Sequence, residues 1–558
     1  MATLASGPSA IRWAAMASCL VAAGVAGIRW LRVAQREHYL PDATSQFAIL
    51  WWWTRAQAPT RILGIAGCAA LVLTARWASF GFVVAMVVLI GPEGLTLRGR
   101  TSPLAWTRRL RTLAIVTGVL VFIVLGIALL RGGGLIGAAA VALAVPAIVD
   151  LGCLITRPFE RMAGSRFVSR ATERLHRVAP RVVGITGSYG KTSTKAYVSH
   201  LAGGRLSVLA SPASFNNRAG LARAVNEHLV EGTDVFVAEM GTYGPGEIAD
   251  LCAWLPPDIA AITAIGPVHL ERFGSEARIV EAKAEILRHA SVAILNVDDY
   301  RLADLADRCE AEGTRVVRCS GLDHDAPSGK TDLDESMDSS TDPDAPDRNA
   351  DGPAEKDGPK VDVRVTSEKS GLKVTVADET LADGVPSRAQ PGNVAIAVAV
   401  AIELGVDLSQ IAERLPALPA VAHRLEPSTA PSGCLVLDDT YNSNPAGAAA
   451  ALDLLRELAP QGGRRVLVTP GMVELGKSQD QENSQFAEKA ASIVSDLLVV
   501  GRTNKRALLD GARRSTGGAP GVKVHEVANR EAAVAWVRGN LGDGDIVLYE
   551  NDLPDNYP

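Results

Sequence analysis

The sequence predicts an α/β protein: a P-loop central domain and a smaller Rossmann-like C-terminal domain, both doubly wound, preceded by an α-helical transmembrane region. Three observations carry this. Nearly all the long apolar runs fall in the first 156 residues. From Arg181 onward, short β-rich runs alternate with helical ones, the texture of parallel strands joined by crossover helices. Between the first such strand and helix lies a glycine-containing turn, "GITGSYGKTST" (Gly184–Thr194). At 558 residues the chain is long enough for three or four units, at about 150 residues per domain.

The apolar runs are Ala10–Ile28, Ile62–Ala75, Trp77–Ile90, Leu113–Leu130 and Leu135–Ile155. A bilayer core takes about 20 apolar residues per helix, so the two runs flanking Arg76 are short. They read as a tight helical hairpin or as one span plus a re-entrant piece, giving four or five spans. A cleaved signal peptide would account for the first run only, and Arg12 is the sole early base. Arg29, Arg32, Arg36, Arg55 and Arg61 follow the first run, and Arg98, Arg100, Arg108, Arg109 and Arg111 lead into the fourth. Loops rich in arginine stay cytoplasmic. Five spans then leave the N-terminus outside and everything after Arg157 in the cytoplasm, which predicts a multi-pass protein of the cell membrane. The net charge of −5 gives no argument for a nucleic-acid partner. The seven cysteines form no C-x-x-C pair, so neither a zinc site nor a disulfide framework is implied.

The boundaries follow from texture: a membrane region over 1–156, a linker over 157–180, a central domain over 181–421 and a C-terminal domain over 422–558. In the central domain VVGIT, DVFVAEMG, IAAITAIG and SVAILNVDD are strands, apolar along their length as expected when both faces are buried. The stretch at about 320–360, rich in Asp, Ser, Pro and Gly, has too little apolar surface to offset its chain entropy, and reads as a disordered, solvated acidic insertion. A β-hairpin, VDVRVTSEKSGLKVTVAD, and an apolar helix, NVAIAVAVAIELG, follow. In the C-terminal domain CLVLDDTY, RRVLVTPG, DLLVVG and DIVLYE are strands alternating with helices.

The turn after VVGIT carries the first chemistry. Backbone N–H groups of a glycine turn and a helix N-terminus cradle anions. Gly187, Ser188, Tyr189, Gly190, Lys191, Thr192 and Ser193 would line a phosphate site, with Lys191 neutralising β/γ-phosphate charge and the Thr192 hydroxyl offered to Mg2+. The usual spacing G-x-x-x-x-G-K-[ST] is not met, because Ile185 stands where its first glycine belongs. A glycine turn with a surface lysine is the plain alternative. Glu239 ends the strand DVFVAEMG, where a P-loop fold places a metal-binding carboxylate. His269 and Glu271 lie just past another strand end. Ligands bind where the carboxyl ends of parallel strands meet.

The motifs GITGSYGKTST, SFNN (Ser214–Asn217), EMG....GEI (Glu239–Ile248), GPVHLERFGS, EAKAEI (Glu281–Ile286), LNVDD, HRLEP (His423–Pro427), DDTYNSNP (Asp438–Pro445) and GMVELG (Gly471–Gly476) occur in this order. Together they resemble the Mur ligases, most closely the MurF type, over about Arg181 to Gly544. In that family the loop's first glycine sits one place early, as Gly184 does here. The resemblance implies ATP-dependent amide ligation: ATP phosphorylates a carboxylate, an amine attacks the acyl phosphate, and phosphate leaves. It implies Lys191, His269 and Lys283 as the catalytic set. Thr192 and Glu239 would bind a first Mg2+, and Glu239, His269 and Lys283 a second. Asn296 would lie near the adenine, Arg424 would reach phosphate, and Asp439 would contact nucleotide across a cleft between the two α/β domains. Asn216, Asn217, Tyr441 and Asn442 would meet substrate. An ammonium beside two Mg2+ ions is repelled, and family members carbamylate the matching lysine. Lys283 is thus expected as a carbamate, against the plain reading of an exposed helix lysine.

Three departures stand out. Membrane helices replace the family's UDP-sugar domain. The family's H-N-x-x-N stretch reads Gly392-Asn393-Val394-Ala395-Ile396, and its K-G-S-R ending is replaced by the acidic run Tyr549–Tyr557. The expected partners are therefore ATP, an amino acid or dipeptide amine, the membrane, and a carboxylate acceptor that is lipid-linked or polymeric. The alternatives are a polyglutamate-type synthase of the same superfamily and a membrane scaffold that binds ATP without ligating.

Overall fold

The computed structural model describes residues 9–53, 77–91, 95, 104–212, 215–267, 270–322, 361–368, 370–386, 389–419, 426–440, 444–514 and 522–553. The apolar run Ile62–Ala75 and nearly all of the acidic insertion lie outside them. The chain forms two units, one comprising 1–165, 427–473 and 480–558, the other 166–426 and 474–479.

Among the described residues the N-terminal helices are α1 (Ser9–Arg36), α2 (Ala43–Trp53), α3 (Trp77–Ile90), α4 (Arg108–Leu130) and α5 (Gly134–Val178). Three of them have a stretch long and apolar enough to cross a membrane: Ala10–Arg36, Arg108–Leu130 and Gly134–Glu160. On α4, Ile115, Val119, Phe122 and Leu130 are exposed. Helix α3 packs against α1 at a small residue: a Cβ on Gly81 would sit 3.1 Å from the Ala15 Cβ and 2.7 Å from Leu135 Cδ1. Asp150, an acid inside an apolar run, caps α2 by accepting from the backbone N–H groups of Thr44 (3.1 Å) and Ser45 (2.7 Å).

The stretch 157–180 is not a linker. Helix α5 continues to Val178, and Val168, Ala171 and Leu175 are buried in the core of the second unit. Their spacing is helical, but the arginines around them give the segment a polar texture that hides it.

The second unit is a nine-stranded sheet ordered β2-β3-β1-β4-β5-β6-β7-β8-β9. Its strands are β1 (Arg181–Thr186), β2 (Val208–Ala210), β3 (Val235–Glu239), β4 (Ile259–Ile262), β5 (Val292–Asn296), β6 (Arg315–Ser320), β7 (Val363–Glu368), β8 (Gly371–Val376) and β9 (Glu379–Val385). Strands β1 to β7 pair in parallel, and the predicted hairpin β7–β8 continues the same sheet antiparallel. The helices used below are α6 (Lys191–Ala202), α7 (Arg218–His228), α8 (Glu247–Cys252), α9 (Leu270–Phe273), α10 (Glu276–Ala284), α11 (Tyr300–Ala311) and α12 (Pro391–Glu403). Alternate strand residues feed two cores. Val182, Phe236, Ala260 and Ala293 face one, while Val183, Val235, Ile259 and Ile294 face the other with α12. Two buried faces explain why these strands are apolar throughout.

The C-terminal sheet, in the first unit, is six-stranded and ordered β10-β11-β15-β12-β13-β14. It comprises β10 (Glu426–Thr429), β11 (Leu435–Asp439), β12 (Arg465–Thr469), β13 (Asp496–Val500), β14 (Lys523–Val527) and β15 (Ile546–Glu550). Strands β11 to β15 pair in parallel. The four strands expected here are present. The short β10 and the half-exposed β14 escape sequence reading because neither has a continuous apolar run.

Candidate active site

Gly184 is not part of the phosphate loop proper. It lies inside β1, opposite Ala238 and Ala260, and a Cβ there would press on Ile286 Cδ1 at 3.0 Å and Pro257 Cβ at 3.1 Å. It is a packing glycine. The turn itself needs Gly187 and Gly190, whose φ angles are +151° and +77°. A Cβ on Gly187 would collide with the Thr263 hydroxyl, and one on Gly190 with the Asn393 side-chain oxygen. The loop is laced to the segment after β4. The Ser188 N–H donates to the Ala264 carbonyl (2.7 Å), the Gly266 N–H donates to Ser188 Oγ (3.0 Å), and the Thr263 hydroxyl donates to the Tyr189 carbonyl. Lys191 Nζ folds back over the turn and donates to the carbonyls of Gly187 (2.7 Å) and Ser188 (3.3 Å). Helix α6 begins at Lys191, so its N-terminal amides and dipole open at this turn.

Glu239, at the carboxyl end of β3, is 5% exposed. Its Oε2 accepts from Thr192 Oγ1 (3.0 Å) and from Lys195 Nζ (2.9 Å). Burial pushes its pKa up, but the charges of Lys195 and Lys191 and the hydrogen bonds from Lys195 and Thr192 outweigh this and hold it below the usual carboxylate value. Glu239 is therefore an aimed, ionised oxygen donor beside a hydroxyl, a donor pair suited to a hard cation such as Mg2+.

Lys283 is not exposed. It lies in the last turn of α10, 5% accessible, and desolvation, then the charge of Lys191, depresses its pKa far below that of an ordinary lysine. The neighbouring Glu285 fixes the start of α8, where its carboxylate accepts from the N–H groups of Gly246 (2.7 Å) and Ala249 (2.9 Å). Arg301 bonds Asp299 (2.8 Å), Glu276 and the Ile265 carbonyl, tying α11, α10 and the segment after β4 together. Asn296 ends β5, and a Cβ on Gly392 would lie 2.9 Å from its Nδ2. Gly392, which has no Cβ, makes room for that close approach.

Asn216 lies against Gly241, whose N–H donates to the Asn216 carbonyl (2.8 Å). Asn217 caps α7, its side chain accepting from the Gly220 N–H (3.0 Å). Asp439 ends β11 in the other sheet, nearly buried and in register with Glu550. The fully buried Glu550 accepts from Thr469 Oγ1 (2.7 Å). Burial and the charge of Asp439 push its pKa to about 8, against the lowering effect of the Thr469 bond. His269, Arg424, Tyr441 and Asn442 lie outside the described residues. Lys191, Ser188, Thr192, Glu239 and Lys283 are thus brought together around one sheet end. Sequence reasoning missed Lys195, Glu285 and Glu550. Lys195 alone had a legible signal: it follows Thr192 by three residues in a helix, on the same face.

Two family models match, "Mur ligase middle domain" over residues 185–342 and "Mur ligase, glutamate ligase domain" over 423–549. The UDP-N-acetylmuramoyl-tripeptide--D-alanyl-D-alanine ligase of Mycobacterium tuberculosis is 33% identical over 386 residues, covering 66% of this chain and 69% of its own. The chain belongs to the Mur ligase family. The enzyme of that name from Escherichia coli is 30% identical, covering 66% of this chain and 74% of its own. MurF from Acinetobacter baumannii superposes with a TM-score of 0.53 at 22% identity, covering 70% of this chain and 77% of its own. The Thermotoga maritima MurF ligase in complex with ADP gives 0.52 at 23%, covering 70% and 80%. This Mur ligase is an ATP-dependent, ADP-forming peptide ligase of the MurF type.

Proposed function

We propose that this Mur ligase works from the membrane, with its catalytic domains in the cytoplasm, and joins the amine of an amino acid or dipeptide to a carboxylate on a cell-envelope peptide precursor. The observation that carries the reading is the meeting of Thr192 with the ionised Glu239 beside the phosphate turn, at 3.0 Å. The names of the relatives, which contain an N-acetylmuramoyl-tripeptide, support a muramoyl peptide as the acceptor class. Their names also include a UDP carrier. In this chain apolar helices precede residue 185, where the first family model begins, which favours a lipid-linked or polymeric acceptor instead.

Each residue then has a part in the reaction. The amides of Gly187–Thr192 and the Lys191 ammonium bind the ATP phosphates, with Ser193 in the same helical turn. Asn296 would serve the adenine, and Arg424 and Asp439 are assigned to the nucleotide. Asn216, Asn217, Tyr441 and Asn442 orient the substrates. Thr192 and Glu239 would hold one Mg2+, and Glu239, His269 and a carbamate on Lys283 a second. When bound, these ions neutralise phosphate charge. The depressed basicity of Lys283 favours the neutral amine, the form that adds CO2: an N–C bond would form, a proton leave, and the side chain become anionic. The acceptor carboxylate takes the γ-phosphoryl group with loss of ADP, the amine attacks the resulting acyl phosphate, and inorganic phosphate departs. The protein mainly positions these groups and stabilises charge.

The test is to incubate the detergent-purified full chain with ATP, envelope precursors and pools of amino acids, and to follow amide products by mass. ADP release that requires both acceptor and amine is expected. ATP binding without any such turnover would overturn the proposal in favour of a scaffold.

A further inference from the structure

Lys195 takes no part in the steps above, yet it is 5% exposed and its Nζ lies 2.9 Å from Glu239 Oε2. The same oxygen accepts from Thr192. A buried ammonium is expensive unless it is paired. Here its partner is the carboxylate that meets Thr192 beside the phosphate turn, and the charge of Lys191 also acts on that carboxylate. A divalent ion on this carboxylate would sit within a few ångströms of the Lys195 charge, and in a desolvated site that repulsion is costly. A nucleotide triphosphate brings several negative charges and reverses the balance.

We infer that Lys195 is the resident counter-ion of Glu239: it holds the carboxylate aimed, and keeps divalent metal off it until nucleotide arrives. Metal then enters with the nucleotide and not before it. Lys195 acts through Glu239, so it is a positioning residue. The inference rests on the reading of Glu239 as a metal-binding carboxylate.

The test is Mn2+ binding to the detergent-purified full chain, read from the free-ion electron paramagnetic resonance signal, without nucleotide and with a non-hydrolysable ATP analogue. In the absence of nucleotide, Lys195→Met should bind Mn2+ at least about tenfold more tightly than the unmodified chain, because one like charge is gone. Lys195→Gln, which keeps a donor toward Glu239 without the charge, should do the same and serves if the methionine variant does not fold. Lys195→Arg should stay weak. Nucleotide-free Mn2+ affinities equal in the Met, Gln and unmodified chains would overturn the counter-ion role. Glu239→Gln separates the two readings. It should weaken Mn2+ binding in the nucleotide complex, and if it does not, the metal reading of Glu239 itself fails.

Discussion

Glu550→Gln isolates a single buried proton. In the folded chain Glu550 is fully buried, bonded to Thr469 and in register with Asp439, and its pKa stands at about 8 against an ordinary 4.5. Between those two values the folded chain keeps a proton that the unfolded chain has lost. Stability therefore falls as pH rises through that window and levels off above it. At pH 7 the difference of 2.5 units from the ordinary 4.5 corresponds to about 3 kcal/mol at ~1.36 kcal/mol per unit. The full window corresponds to about 5 kcal/mol by the same conversion. Glutamine has nearly the same shape, its oxygen can accept from Thr469, and it carries no titrating proton. The variant should gain most of that amount at pH 7, which is several degrees or more in melting temperature for a domain of this size. The assay is thermal unfolding of the detergent-solubilised full chain at pH 5.5, 7 and 8.5, followed by proteolysis of the C-terminal domain. The unmodified chain should lose stability from pH 5.5 to 8.5, and the variant should lose much less. Parallel pH profiles for the two chains would refute the reasoning.

The other predictions concern the phosphate turn and its supports. Lys283→Ala should abolish ligation, and short carboxylic acids should partly restore it by occupying the anionic position. Full activity in the alanine variant, measured as ADP release, would sink the carbamate. Gly190→Ala puts a Cβ into Asn393 at a φ of +77°, so nucleotide affinity by calorimetry should fall at least about tenfold through distortion of the turn. Glu285→Ala leaves the Gly246 and Ala249 N–H groups without their carboxylate. This should cost about 1–3 kcal/mol by denaturant unfolding, which Glu285→Gln, able to satisfy one of the two, should partly recover. Asp150→Ala removes the cap of α2 and should lower the melting temperature of the helical region in detergent, by an amount corresponding to about 1–3 kcal/mol.

Much of the architecture was legible because it rests on local pattern. The strands around VVGIT and DVFVAEMG are apolar on both faces, and that pattern requires a sheet covered on both sides. The turn was legible because Gly187, Gly190 and Lys191 fall between such a strand and a helix. The tail of α5 was not. Its three core residues, Val168, Ala171 and Leu175, are diluted by arginines, and only contact with the sheet distinguishes them from a polar linker. The N-terminal runs were legible as apolar, whereas the burial of Asp150 against the start of α2 depends on segments about a hundred residues apart.

By itself, the sequence determined the order of the domains, the position of the phosphate turn and the family to which the chain belongs, because each is written in residues that are neighbours along the chain. Only the tertiary structure decided what the charged groups do. Gly184 became a packing glycine when Ile286 came up against β1. Lys283 passed from a helix lysine to a buried amine. Lys195 acquired a carboxylate partner on a different strand, and Glu550 acquired a proton. Ionisation and basicity are set by desolvation and by charges within a few ångströms, and those distances do not exist until the chain has folded.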